Sequence, residues 1–257
     1  MPTHPRIVAI GGGEMKNCET LRIDRYIVAL TGKRRPKALF IPTAGDDSEE
    51  YVEAFARIYG KELGCRTSAL RLIQGPPSRR RMSARVLDSD LIYVGGGNTY
   101  RMMRIWRRLG LDKVLRKAAS RGIVMSGLSA GAICWFRYEH SDSRSFSGAE
   151  QWKYIRVSGL GIIDALFCPH YHVEEREAPL ARMLAARGGL ALACDNNAAI
   201  EIVGDTYRVI TSARGARAYK VFRSKGEVVA ERLPTRKAYT PLEHLLTRTE
   251  SGRSSKG

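Results

Sequence analysis

The sequence predicts an α/β fold: a mostly parallel sheet with helices on both faces, extended by antiparallel strands at its C-terminal end. Three observations predict it. Over the first half, short apolar runs rich in β-branched residues alternate with stretches of helical periodicity, the pattern of repeated βαβ units. Glycine-rich turns at 11–13, 95–97 and 127–131 each close one of those runs. Beyond about residue 190 the apolar runs crowd together, separated by hairpin-type turns.

The elements follow in order. Arg6–Ile10 reads as a strand, broken by Gly11-Gly12-Gly13. Leu21, Tyr26, Ile27 and Leu30 recur at helical spacing within 20–31. Ala38–Ile41 is a second strand, ended by Pro42 and Gly45. Asp47-Ser48-Glu49-Glu50 suits a helix start, where acidic side chains meet the positive end of the dipole, and that helix runs to about Leu63. Strands are expected at Thr67–Ile73 and Leu91–Val94, then a helical pattern through Met102, Ile105 and Leu109 to Ala119. Ile123–Met125 is a further strand, followed by a turn over 127–131 and a helix start over Ala132–Phe136. In the second half, Ala165–Cys168 is apolar and Glu174–Ala186 is helical. Strands are then expected at Leu190–Ala193, Ala199–Val203, Thr206–Ile210, Ala218–Phe222 and Val228–Leu233. Gly204-Asp205 and Lys225-Gly226 fit as hairpin turns between them.

A chain of 257 residues, 44% hydrophobic, can bury a substantial core. No linker divides it, so one domain is expected over 1–246. The stretch 247–257, rich in Ser, Gly, Arg and Lys, is expected to be a disordered basic tail. No apolar run has the length of a membrane span, and no signal-peptide pattern opens the chain. The expected location is the cytoplasm. The five cysteines are scattered without a Cys-x-x-Cys pair, which predicts reduced thiols and no metal site. No cofactor motif is present either. The formal net charge of +17 raises a nucleic-acid partner. The charge is spread through the chain, however, and no aromatics interleave with it, so nucleic acid is disfavoured. The expected partner is a small peptide substrate, and monomer and homodimer both stay open.

The chemistry concentrates at Ser126-Gly127-Leu128-Ser129-Ala130-Gly131. A Gly-x-Ser-x-Gly between a buried strand and a helix is the context of a nucleophile elbow. Ser129 is the candidate nucleophile, and the Ala130 N–H is a candidate oxyanion donor. Gly95-Gly96-Gly97-Asn98, also at a strand end, offers further backbone N–H groups, either the other half of an oxyanion hole or a phosphate cradle. It is neither a P-loop nor Gly-x-Gly-x-x-Gly. Gly11-Gly12-Gly13 reads as a loop at the sheet edge. A serine needs a base. His170, in Cys168-Pro169-His170-Tyr171-His172 after an apolar strand, is favoured over His4, His140, His172 and His244 by its place at a strand's carboxyl end. Glu201 is a charge inside the apolar run 198–203; it either faces solvent or meets a partner such as His170. Asp142, Asp164 and Asp195 are rivals for orienting the base.

Gly95–Thr99, Gly127–Gly131, Pro169-His170 and the Ala-Ile-Glu strand at Glu201, in that order, resemble the peptidase E and cyanophycinase group of serine peptidases. The resemblance implies a class I glutamine amidotransferase-like, flavodoxin-like fold. It also implies a Ser129–His170–Glu201 triad forming an acyl-enzyme, with Gly96 or Gly97 and Ala130 as oxyanion hole. Short peptides are the implied substrates, aspartyl dipeptides among them. Two alternatives stand beside it: an α/β-hydrolase esterase, with Asp195 or Asp205 and then His244, and a non-catalytic nucleic-acid-binding protein on the same scaffold.

Overall fold

The computed structural model describes residues 5–147 and 152–247. The tail expected to be disordered lies, from residue 248 on, outside the described residues.

The first half builds the parallel part of the fold. Strands β1 (Arg6–Ile10), β2 (Lys37–Ile41), β3 (Arg66–Ala69), β4 (Leu91–Val94) and β5 (Val124–Leu128) lie side by side in the order β1-β5-β4-β2-β3, all parallel. Between them run α1 (Leu21–Ala29), α2 (Glu49–Phe55), α3 (Arg79–Leu87), α4 (Thr99–Leu109) and α5 (Leu111–Ser120). The expected helix over 47–63 leaves α geometry at Ala56 and continues as a π-helix to Glu62. The helical pattern of 99–119 divides at Gly110, whose φ of 78° suits the residue that ends α4 and begins α5.

Both faces of the parallel sheet are covered, so its strands read as continuous apolar runs. Side chains alternate across it. Val8, Ile10 and Phe40 meet Ile23, Ile27 and Phe55 of α1 and α2 on one side. Ile7, Ala9 and Leu39 meet Met102, Trp106 and Leu115 of α4 and α5 on the other.

The second half differs from expectation. After the short α6 (Ala130–Ile133) come β6 (Phe136–Ser141), β7 (Ile155–Ser158), β8 (Ile163–Cys168), α7 (Glu177–Arg187) and β9 (Leu190–Cys194). Then follow β10 (Ala198–Val203), β11 (Thr206–Thr211), β12 (Ala218–Ser224), β13 (Glu227–Leu233), β14 (Thr240–Pro241) and α8 (Leu242–Leu246). The antiparallel extension exists, but it consists of β10, β11 and β14, added at the β1 edge. Strands β12 and β13 join a second sheet instead, in the order β13-β12-β9-β8-β6-β7. Its inner face, with Phe136, Phe167 and Leu192, packs into the same core as α4 and α5. Its outer face is covered by Leu180 and Leu184 of α7. The sequence hides this sheet because β6 carries Arg137, Glu139 and His140, which mask a strand.

Candidate active site

Strand β5 delivers Ser129 at its carboxyl end. The serine has φ 53° and ψ −116°, a conformation an L-residue adopts only when its surroundings hold it there. Its N–H donates to the Ile10 carbonyl (3.1 Å), which ties the turn to β1. The flanking glycines are required sterically. A Cβ on Gly127 would stand 2.3 Å from the Gly131 carbonyl oxygen, and one on Gly131 would stand 2.0 Å from that of Val94.

Strand β8 delivers His170, also at positive φ (52°), its N–H held by the Gly11 carbonyl at 3.1 Å. His170 Nε2 lies 2.8 Å from Ser129 Oγ. On the other side of the ring, Nδ1 lies 2.6 Å from Asn196 Oδ1, in the turn between β9 and β10. An amide oxygen on Nδ1 requires that nitrogen to carry the proton. Nε2 is then the free lone pair that accepts the serine hydroxyl. Burial pushes the His170 pKa below the usual imidazole range; the nearby Glu174 carboxylate opposes that shift in part. The ring is therefore neutral at neutral pH, the form a general base requires.

The floor under this relay is the first glycine run. A Cβ on Gly12 would come within 2.1 Å of Asn196 Oδ1 and 2.4 Å of His170 Nδ1. Gly11-Gly12-Gly13, expected to be a loop at the sheet edge, instead follows a central strand and makes room for the histidine and the asparagine.

Glu201 does not reach His170. It is fully buried on β10, where Arg208 Nε donates to one carboxylate oxygen and the Tyr239 hydroxyl to the other (2.8 Å). Of the two places open to Glu201, solvent or a partner, the chain takes the second, with Arg208 and Tyr239 and not His170 as the partners. The rival acids are engaged elsewhere too. Asp142 accepts from Arg176 (2.9 Å), Asp164 pairs with Arg137 (3.1 Å), and Asp195 pairs with His172 (2.7 Å). The carboxylate nearest the ring is Glu174, with Oε1 3.8 Å from Nδ1; the buried Arg176 holds its other oxygen. His140 is buried beside Cys168, and His244 sits on α8 next to Glu243. His4 lies outside the described residues.

The glycine turn after β4 stands over the serine. A Cβ on Gly96 would lie 3.4 Å from Ser129 Cβ. Gly97, at φ 132°, packs against the Ala44 carbonyl so closely that a Cβ there would come within 2.1 Å of its oxygen. The Gly96 N–H donates to the Tyr51 hydroxyl oxygen (3.2 Å), while Ala130 begins α6. Burial pushes the Tyr51 pKa up to about 12, so the phenol keeps its proton. Ser129, His170, Gly96, Gly97 and Tyr51 all line one cleft of about 460 Å³. Its outer wall is acidic: Glu14, Glu19, Glu50 and Glu174 against Lys16. That lining runs against the composition of a chain with 43 Lys and Arg to 26 Asp and Glu.

Residues 7–210 match the model of peptidase family S51. The chain belongs to peptidase family S51. It is a serine-type peptidase. It is 35% identical over 235 residues to the uncharacterized peptidase YgaJ of Bacillus subtilis, covering 90% of this chain and 98% of that one. It is 32% identical over 105 residues to peptidase E of Salmonella gallinarum, covering 40% of this chain and 41% of that one. In fold it is similar to the crystal structure of a peptidase from an acI-B1 Actinobacterium, with a TM-score of 0.70 and 18% identity, covering 93% of this chain and 98% of that one. It is also similar to that of a putative peptidase E protein from Listeria monocytogenes, with a TM-score of 0.62 and 20% identity, covering 81% of this chain and 98% of that one.

Sequence reasoning missed Asn196, Gly12 and Tyr51. A signal for Asn196 exists: Asp195-Asn196-Asn197 follows β9 at its carboxyl end, where open α/β sheets gather their functional groups. Tyr51 carries no such signal, because it is one of several aromatics on a helix face.

Proposed function

We propose that this S51 peptidase hydrolyses short peptides through an acyl-enzyme on Ser129, with His170 as base and acid and Asn196 as the residue that orients it. The observation that carries the reading is the relay from Ser129 Oγ to His170 Nε2 (2.8 Å) and from His170 Nδ1 to Asn196 Oδ1 (2.6 Å). His170 takes the serine proton as Oγ attacks the amide carbonyl, then gives it to the leaving amine. Water repeats the sequence on the acyl-enzyme. The carbonyl oxygen gains charge beside Ala130 and the Gly96–Gly97 turn, where the N–H groups of Ala130 and Gly97 serve as oxyanion donors, the Gly96 N–H being taken by Tyr51. Tyr51, which accepts the Gly96 N–H, retains a hydroxyl proton to donate there.

The aspartyl dipeptides implied by the resemblance fit this cleft poorly. A substrate carboxylate would enter among four glutamates with Lys16 as the lining cation, and Lys16 already pairs with Glu50 at 3.8 Å. The proposed substrates are therefore short peptides without a required aspartate. The position of His244 on α8, beside Glu243, removes support from the esterase alternative.

Replacing Ser129 with Ala is expected to lower kcat by roughly 10³-fold or more, since a nucleophile has no substitute in this mechanism. A serine-directed fluorophosphonate should label the wild-type chain at Ser129, as mapped by peptide mass spectrometry. Full turnover by the Ser129→Ala variant would rule the mechanism out.

A further inference from the structure

A second cavity adjoins the cleft and has the opposite charge. It is a groove of about 960 Å³ between α7 and the segment that leads into β7. Arg144, Lys153, Arg156, Arg182 and Arg187 line it, against two acids, Glu174 and Glu175. Glu174 is itself held by Arg176 through Oε2, with Oε1 turned toward His170 on the cleft side. Among the described residues, no carboxylate pairs with Lys153, Arg182 or Arg187. Arg156 lies flat over the Tyr138 ring at 3.6 Å, and its buried Nε has no partner among the described residues. Burial, with Arg187 adding to it, holds the Arg156 pKa below its ordinary range. Lys153, Arg156, Arg182 and Arg187 thus crowd like charge along one groove with few counter-charges among the described residues, an arrangement that an anionic ligand would relieve.

Two further features indicate what that ligand is. The groove has an aromatic wall: Trp152, 38% exposed, meets the Tyr154 ring edge-on at 5.0 Å. It also opens off the active-site cleft, because Glu174 lines both, and Glu174 stands 3.8 Å from His170 Nδ1. We infer that this groove is a subsite for an acidic stretch of the peptide substrate, beyond the residues that flank the scissile bond. The inference rests on the peptidase reading above. It assigns the two cavities different tasks: the glutamate-lined cleft holds the reacting amide, and the cationic groove holds glutamate or aspartate side chains further along the chain. A substrate that places acidic residues beyond the two flanking the scissile bond is longer than a dipeptide.

The test uses two fluorogenic peptides with the same residues around the scissile bond, one carrying a run of glutamates and the other a run of serines. Exposed ion pairs are individually weak, but several together should raise kcat/KM for the acidic peptide about tenfold, with the advantage shrinking as salt is added. The double variant Arg182→Glu, Arg187→Glu changes exposed side chains of α7. It should abolish that advantage and leave the serine peptide unchanged, which also certifies its fold. Equal kcat/KM for the two peptides, or an advantage that survives in the double variant, would overturn the groove assignment. Fluorescence anisotropy of the labelled acidic peptide on Ser129→Ala separates the two readings. Binding that depends on Arg182 and Arg187, without turnover by the wild type, would sink the peptidase mechanism and keep the groove. Binding that ignores those arginines would sink the groove. A single-stranded oligonucleotide that occupies the groove more tightly than the acidic peptide would overturn the assignment to peptide.

Discussion

At the scale of single residues, the unusual member of the site is Asn196. A carboxylate beside a catalytic imidazole fixes its tautomer and stabilises the imidazolium. An amide oxygen performs the first task without adding charge. Here the nearby charge is that of Glu174, at 3.8 Å from Nδ1 and anchored by Arg176. Replacing Asn196 with Ala should therefore lower kcat by about 10²-fold, the scale of a misaligned general base, with a smaller change in KM. Glu201→Gln should leave kcat intact and cost about 1–3 kcal/mol of stability, because it weakens a buried bond to Arg208. Steady-state kinetics and urea denaturation of both variants check the contrast; a loss of kcat in Glu201→Gln would return that residue to the site. The pair also shows how far the sequence goes. That Glu201 is buried and paired is legible, because an apolar strand surrounds it. Which partner it takes is not, because Arg208 comes opposite it only through the β10–β11 register.

At the scale of elements, the site is assembled from turns at strand ends. Strand β1 supplies the glycine floor, β4 the glycine turn, β5 the serine, β8 the histidine, and the β9–β10 turn the asparagine. The sequence shows each turn as a break in an apolar run, and so it shows where function gathers. It does not show that β1 lies at the centre, between β10 and β5, since that follows from chain reversal after β9. The consequence falls on Gly12. Its position leaves no room for a Cβ, and the atoms in the way are the tips of His170 and Asn196. Gly12→Ala should displace those two side chains and spare the backbone. A displacement near 1 Å costs about 10²-fold in rate, so kcat should fall on that order while thermal stability changes little. A variant with normal turnover would mean that the relay tolerates the added methyl group. One that fails to fold would mean that Gly12 serves the sheet.

At the scale of the whole molecule, the second sheet carries a buried carboxyl group that the site does not use. Glu139 on β6 is fully buried, and neither of its carboxylate oxygens has a hydrogen-bond partner among the described residues. The Gly159 backbone covers it so closely that a Cβ there would lie 2.9 Å from Oε1. Burial pushes its pKa from 4.5 up to about 8, only partly opposed by Arg107. The folded chain therefore holds this proton between pH 4.5 and 8, where the unfolded chain has released it. Stability from this group is complete below 4.5 and declines as pH rises through that window, because the unfolded state binds fewer protons there. A shift of this size corresponds to a loss on the order of a few kcal/mol by about pH 8. Glu139→Gln keeps the shape and removes the titration. Its urea midpoint should change less between about pH 5 and about pH 8 than that of the wild type, and the variant should be the more stable of the two at the upper end. The difference should vanish or reverse near about pH 5, where the wild-type side chain is already protonated in the fold. Parallel pH dependences for the two proteins would show that water or a local opening satisfies the carboxylate, and that the second sheet is looser around β6 than its packing against Phe136 and Phe167 implies.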